Sequence, residues 1–199
     1  MATLLFDLYG VLLKVQDDAA LRRVEAATGG DSAIWEAYWD LRYDLDAGLI
    51  TDEQYWSMFS ERTGLQFDVE AARDADYAGW LESDPAMVAK VVALKEAGHT
   101  VGILSNIPKE LSRRVQQVNG EWLDKLDAVT YSCDLGVAKP NPQAYAMACE
   151  ALGADPRDVI FLDDNEINVK AARQLGMKAR LFTGIGDVDA ALADAAESD

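Results

Sequence analysis

Short apolar runs that stop at polar residues constrain this chain more than any other feature. They are Leu4-Leu5-Phe6 before Asp7, Thr100-Val101-Gly102-Ile103-Leu104 before Ser105-Asn106, Ala128-Val129-Thr130-Tyr131, and Val159-Ile160-Phe161-Leu162 before Asp163-Asp164-Asn165. A run of this kind, ended by turn-forming side chains, reads as a strand buried on both faces. From Pro85 onward such runs alternate with helical stretches, expected over 85–97, 108–118, 141–152, 167–175 and 188–196, with a last strand over 178–182. Alternation of this kind predicts an α/β fold, a doubly wound parallel sheet with right-handed crossovers. The first strand has to join that sheet, because it is too short to stand alone.

Between the first strand and the rest, the periodicity changes. Residues 17–28 read as a helix, and Gly29-Gly30-Asp31-Ser32 ends it, with Asp31 or Ser32 available to cap the next helix. That next helix carries Trp35, Tyr38, Trp39, Arg42 and Tyr43 on one stripe. Thr51 and Gln54 form a capping box for a third helix bearing Tyr55, Met58 and Phe59, and a fourth brings Tyr77 and Trp80. The expected organisation is therefore a core domain from 1–13 and 84–199, interrupted by a helical domain over 14–83. The aromatic stripe reads as the core of that small bundle, the alternative being that one or two of its rings face a ligand.

The chain has 199 residues, a formal net charge of -17 and a pI near 4.3. So acidic a surface repels nucleic acid and anionic membranes, so neither is expected as a partner, and an anionic substrate would need a local positive feature. Cys133 and Cys149 are the only cysteines and suggest no disulfide framework. Met1-Ala2-Thr3 runs straight into the first strand and no apolar run reaches membrane-spanning length, which predicts no signal peptide and a cytoplasmic protein. Oligomeric state is left open.

In open α/β sheets ligands collect at the carboxyl ends of the strands. The candidate site is thus Asp7, Ser105-Asn106, the loop Gly136-Val137-Ala138-Lys139-Pro140, and Asp163-Asp164. Taken singly, each has a plain structural explanation as a turn, a helix cap or a surface lysine. Together they divide a task. Asp7 and Asp164 offer hard oxygen ligands suited to Mg²⁺, while Lys139 and the Ser105 hydroxyl, with nearby backbone N–H groups, suit the oxygens of a phosphoryl group.

In these residues the sequence resembles the haloacid dehalogenase superfamily, subfamily I, with a helical cap inserted after the first motif. Asp7-Leu8-Tyr9-Gly10-Val11, Leu104-Ser105-Asn106, Lys139-Pro140 and Phe161-Leu162-Asp163-Asp164-Asn165 match its four motifs in order. The resemblance implies a Rossmann-like core and an Asp7 nucleophile that forms a covalent aspartyl intermediate. It implies Ser105 and Lys139 as catalytic groups, with Ser105, Asn106 and Lys139 binding substrate. It also implies Mg²⁺ held by Asp7, Asp164 and the Tyr9 backbone carbonyl, with Asp163 assisting at the metal. Two positions depart from the usual phosphatase pattern: Tyr9 stands where a second motif I aspartate serves as general acid, and Asn168 where many relatives have another acid. Asp-x-Tyr-Gly is the form seen in hydrolytic L-2-haloacid dehalogenases, which lack the paired acidic motif kept here. The whole set is most similar to a branch of sugar-phosphate phosphatases that includes an α-D-glucose-1-phosphate phosphatase. The implied activity is Mg²⁺-dependent hydrolysis of a small phosphorylated metabolite. The alternatives are a metal-free 2-haloacid dehalogenase, or a catalytically weak binding or regulatory relative.

Overall fold

The computed structural model describes residues 1–196; the last three positions of the expected core segment, 197–199, lie outside the described residues. Five strands, β1 (Thr3–Phe6), β2 (Thr100–Ser105), β3 (Ala128–Tyr131), β4 (Val159–Asp163) and β5 (Lys178–Leu181), form one sheet in the order β3-β2-β1-β4-β5. Every neighbouring pair is parallel, and Phe6 at the end of β1 is registered with Ile103 on one side and Leu162 on the other. The chain builds the sheet outward from β1 through β2 to β3, then returns to the opposite side of β1 for β4 and β5. The strand order therefore reverses between β1 and β4, where crevices form in sheets of this kind.

Ten α-helices accompany the described strands: α1 (Asp18–Thr28), α2 (Ile34–Asp46), α3 (Asp52–Thr63), α4 (Val69–Tyr77), α5 (Pro85–Glu96), α6 (Lys109–Leu123), α7 (Ser132–Leu135), α8 (Pro142–Ala151), α9 (Glu166–Gln174) and α10 (Gly186–Ala196). The two-residue repeat of a strand sends alternate side chains to opposite faces. Leu4, Phe6, Val101, Ile103, Ile160 and Leu162 meet α5, α6 and α10 through Met87, Val91, Leu111, Val115 and Val188. Leu5, Leu104, Val159 and Phe161 face the other way, onto Tyr145, Ala148, Val169 and Ala172 of α8 and α9. Because both faces are covered, the strands carry apolar residues at nearly every position.

Helices α1–α4 surround a separate cluster of Val24, Ile34, Tyr38, Tyr55, Trp56, Phe59 and Ala72. The Thr51 capping box forms as expected, with the Thr51 hydroxyl accepting from the Gln54 N–H and the Gln54 side chain accepting from the Thr51 N–H. The segments entering and leaving this helical part lie side by side. The Lys14 N–H donates to the Glu82 carbonyl and the Asp84 N–H to the Leu12 carbonyl, both at 2.8 Å, and Leu13 bridges Ser83 in antiparallel fashion.

Three expectations need correction. Neither Asp31 nor Ser32 caps α2, which starts after Ala33; Asp31 instead accepts from the Ala33 N–H at 2.9 Å in a local turn. Helix α6 runs past Val118, an exposed position, to Leu123, because Trp122 and Leu123 bury on the same face as Leu111 and Val115. The stripe of α2 also splits: Tyr38 and Arg42 are buried, whereas Trp39 and Tyr43 remain exposed. The inward face runs through Ile34, Tyr38, Arg42 and Leu45, so the neighbouring row is turned outward. Among the described residues, no helix is long and apolar enough to cross a membrane.

Candidate active site

The Asp7 N–H donates to the Leu162 carbonyl at 2.8 Å, continuing the β1–β4 ladder one residue past β1. That bond fixes Asp7 beside the end of β4. A tight turn follows, in which the Leu12 and Leu13 N–H groups both donate to the Leu8 carbonyl and the Gly10 N–H donates to Leu13. Gly10 has φ 75°, and a Cβ placed there would stand 2.1 Å from Oδ2 of Asp164. Glycine thus serves twice here, for a left-handed backbone and for the space that the Asp164 carboxylate occupies.

Lys139 binds the strand ends together. Its buried Nζ lies 2.7 Å from Oδ1 of Asp7 and 2.7 Å from Oδ2 of Asp163. The remaining capacity of the Asp163 carboxylate is taken by the Asn165 N–H at 2.8 Å and by the Asn168 amide at 3.1 and 3.0 Å. This pairing accounts for Asn168: an amide N–H₂ can donate to a buried carboxylate, whereas another acid would repel it. Tyr145 steadies Asn168 by donating its hydroxyl to the Asn168 carbonyl at 3.0 Å. Asn106 uses both ends of its amide on the Lys139 backbone, donating to the carbonyl and accepting from the N–H, each at 2.8 Å. Ser105 is fully buried, does not line the cavity in front of Asp7, and has only a long 3.5 Å contact from its hydroxyl to the Asn106 carbonyl.

Carboxylate oxygens of Asp7, Asp163 and Asp164 lie within 4.8 Å of one another. Fully ionised, as a bound cation would hold them, the buried Asp7 and Asp163 and the exposed Asp164 exceed the one ammonium by two negative charges, the charge that one divalent cation cancels. The donor set is all hard oxygen, which suits Mg²⁺. The titration of the cluster follows the same balance. Burial pushes Asp7 up to about 8 against the opposing pull of Lys139, and burial with the neighbouring Asp163 raises Asp164. Burial lowers Lys139, but Asp7 and Asp163 together outweigh it and keep the ammonium above its ordinary value. The residues fit a divalent cation.

Tyr9 borders the space in front of Asp7. The ring meets Trp80 edge-on with centroids 5.0 Å apart, and the phenol oxygen is enclosed without a hydrogen-bond partner. Burial, only partly opposed by Arg42, pushes the phenol well above its ordinary value, so it keeps its proton.

In front of Asp7 lies a cavity of about 260 Å³. Its sheet side is formed by Asp7, Lys139 and Asp164, and its far side by Trp39, Arg42, Asp46 and Trp80. The four far-side residues were not singled out as site residues by the sequence, though a signal existed: an arginine within an aromatic stripe, with an aspartate one helical turn on. A larger cleft of about 510 Å³ is lined by residues such as Gly30, Glu36 and Arg62 and includes none of the strand-end residues.

A family model for haloacid dehalogenase-like hydrolases matches residues 1–176. The chain belongs to that family. This haloacid dehalogenase-like hydrolase is 29% identical to (S)-2-haloacid dehalogenase 4A of Burkholderia cepacia over 187 residues, covering 86% of this chain and 78% of the relative. It is 26% identical to the sesquiterpene phosphatase astK of Aspergillus oryzae over 175 residues, 87% of this chain and 85% of that one. A crystal structure of a family enzyme from Bacteroides thetaiotaomicron, in complex with magnesium and inorganic phosphate, superposes with a TM-score of 0.76 at 24% identity, covering 91% and 93% of the two chains. The α/β fold with its parallel sheet is thus the fold of the family. Its relatives include both dehalogenases and phosphatases.

Proposed function

We propose that this chain hydrolyses small phosphomonoesters such as sugar phosphates, with Mg²⁺, through a covalent aspartyl-phosphate on Asp7, and that it works in the cytoplasm. Residues 14–83 act as the cap over a core made of 1–13 and 84–199. One observation carries the reading: Lys139 bridges Asp7 and Asp163 while Asp164 stands within reach of both, leaving a two-charge surplus matched to a divalent cation. A dehalogenase attacking carbon in a 2-haloacid has no use for that surplus.

In the first step a carboxylate oxygen of Asp7 attacks phosphorus and the P–O bond to the alcohol breaks, the electron pair leaving with the alcohol oxygen. Lys139 holds the phosphoryl oxygens and offsets their charge, and Asp163, saturated by Asn168 and Asn165, keeps the lysine in place. Asn106, at the cavity, fixes the Lys139 backbone, and Ser105 is buried next to it at the end of β2. Mg²⁺ held by Asp7, Asp164 and the Tyr9 carbonyl, with Asp163 behind them, would supply charge neutralisation at phosphorus. Water then attacks the phosphorus of the acyl phosphate and the Asp7 carboxylate departs. Because Tyr9 keeps its proton and its hydroxyl is enclosed, the leaving oxygen is poorly assisted, and esters of good leaving groups, aryl or anomeric, are favoured.

The test is acid quenching during turnover of p-nitrophenyl phosphate, followed by peptide mass analysis. The expected result is a phosphoryl adduct on the peptide carrying Asp7. Asp7→Asn should show no adduct and a turnover lowered by ~10³-fold or more, since an amide is no nucleophile toward phosphorus. Substantial Mg²⁺-dependent activity left in Asp7→Asn would overturn the covalent mechanism.

A further inference from the structure

Among the described residues, two cationic side chains line the cavity in front of Asp7, Lys139 and Arg42. Lys139 is committed to Asp7 and Asp163. Arg42 is paired with two carboxylates: its Nε lies 2.8 Å from Oδ1 of Asp46 and its Nη1 3.1 Å from Oδ2 of Asp76. The guanidinium also lies over the rings of Tyr38 and Trp80 at 5.2 and 6.0 Å. Asp76 is held in turn by the Tyr38 hydroxyl at 2.8 Å, the Trp80 indole N–H at 3.1 Å and Gln16 at 2.9 Å. Two carboxylates on one guanidinium, Asp46 beside it in the wall and Asp76 buried behind it, leave this side of the cavity with a net negative charge. A substrate carrying a second anionic group would face that surplus.

The same wall holds two features that a neutral group can use. Oδ2 of Asp46 has no hydrogen-bond partner among the described residues, and the side chain is 15% exposed. Trp39, 53% exposed, lines the cavity and packs at near right angles to Tyr38 and Trp80. A carboxylate oxygen accepts a hydroxyl hydrogen, and an exposed indole takes the flat side of a ring.

We propose that Asp46 and Trp39 form the subsite for the leaving alcohol, and that this subsite admits a neutral, hydroxyl-bearing group while rejecting one that carries a second negative charge. The inference deepens the phosphatase reading and rests on it. It makes Asp46 and Trp39, both from α2, specificity-determining residues, and it assigns to Arg42 the positioning of Asp46.

Two aryl phosphates of nearly equal size and leaving ability test it: 4-(hydroxymethyl)phenyl phosphate and 4-carboxyphenyl phosphate, with p-nitrophenyl phosphate as reference. The native protein should show kcat/KM at least about tenfold higher for the hydroxymethyl ester, as expected where like charges are brought together. Asp46→Asn, which keeps an oxygen for Arg42, should bring that ratio close to unity. Trp39→Ala should raise KM for both esters alike. Equal kcat/KM for the two esters in the native protein would overturn the proposal without recourse to any variant, as would an unchanged ratio in folded Asp46→Asn. If p-nitrophenyl phosphate itself were not hydrolysed, the phosphatase reading would fall, and the subsite with it.

Discussion

Lys139 is the residue on which the electrostatics of the strand ends converge, with Asp7 and Asp163 each 2.7 Å from its Nζ. Lys139→Met keeps the length of the side chain and removes the charge, leaving three carboxylates without their internal counter-ion. Breaking a buried pair from one side costs ~3–5 kcal/mol, so the thermal midpoint should fall measurably in metal-free protein. Turnover of p-nitrophenyl phosphate should drop by ~10²-fold or more, because a preorganised charge at the phosphoryl group is lost. Native-like kinetics in this variant would show that the lysine does not face the reacting group. Asp7, Lys139 and Asp163-Asp164 were legible in the sequence because each ends an apolar run or begins a turn. The hydrogen bonds that hold Asp163 and Asn106 were not, since they depend on which atoms are already taken. Asp163 spends its carboxylate on Lys139, Asn165 and Asn168, and Asn106 spends its amide on backbone, neither of which spacing alone can show.

Among the elements, the turn after β1 decides whether Asp164 can approach Asp7. Gly10→Ala would place a methyl group 2.1 Å from Oδ2 of Asp164 at a backbone φ of 75°. The left-handed conformation alone costs ~1–2 kcal/mol for a residue with a Cβ, and the carboxylate would have to move besides. The expected outcome is a Mg²⁺ titration of activity shifted to at least several-fold higher concentration in a protein that still folds. An unshifted titration would show that Asp164 is not a ligand. Strand and helix types were readable from periodicity, and so was the Thr51 capping box. The end of α6 was not, because Trp122 and Leu123 continue its buried face beyond an exposed Val118. Nor was the short helix α7, where the pattern after β3 reads as loop.

At the scale of the whole molecule, two apolar layers on the sheet and a third cluster among α1–α4 divide the chain, with the 12–14 and 82–84 segments hydrogen-bonded side by side between them. The break in periodicity on either side of the helical stretch made this organisation visible in the sequence. The cavity between Asp7 and α2 was not visible, because it depends on the angle at which Trp39, Arg42 and Asp46 are presented to the strand ends. With a net charge of -17, the molecule as a whole repels a phosphate ester. In the mechanism proposed above, attraction comes from Lys139 and a divalent cation at the Asp7–Asp164 site. The most direct test measures phosphate release from p-nitrophenyl phosphate and halide release from (S)-2-chloropropionate on the same native preparation, with a chelator and then with excess Mg²⁺. The account predicts phosphate release that chelator abolishes and Mg²⁺ restores, with no halide released in either condition; halide release indifferent to chelator, without phosphatase activity, would contradict it.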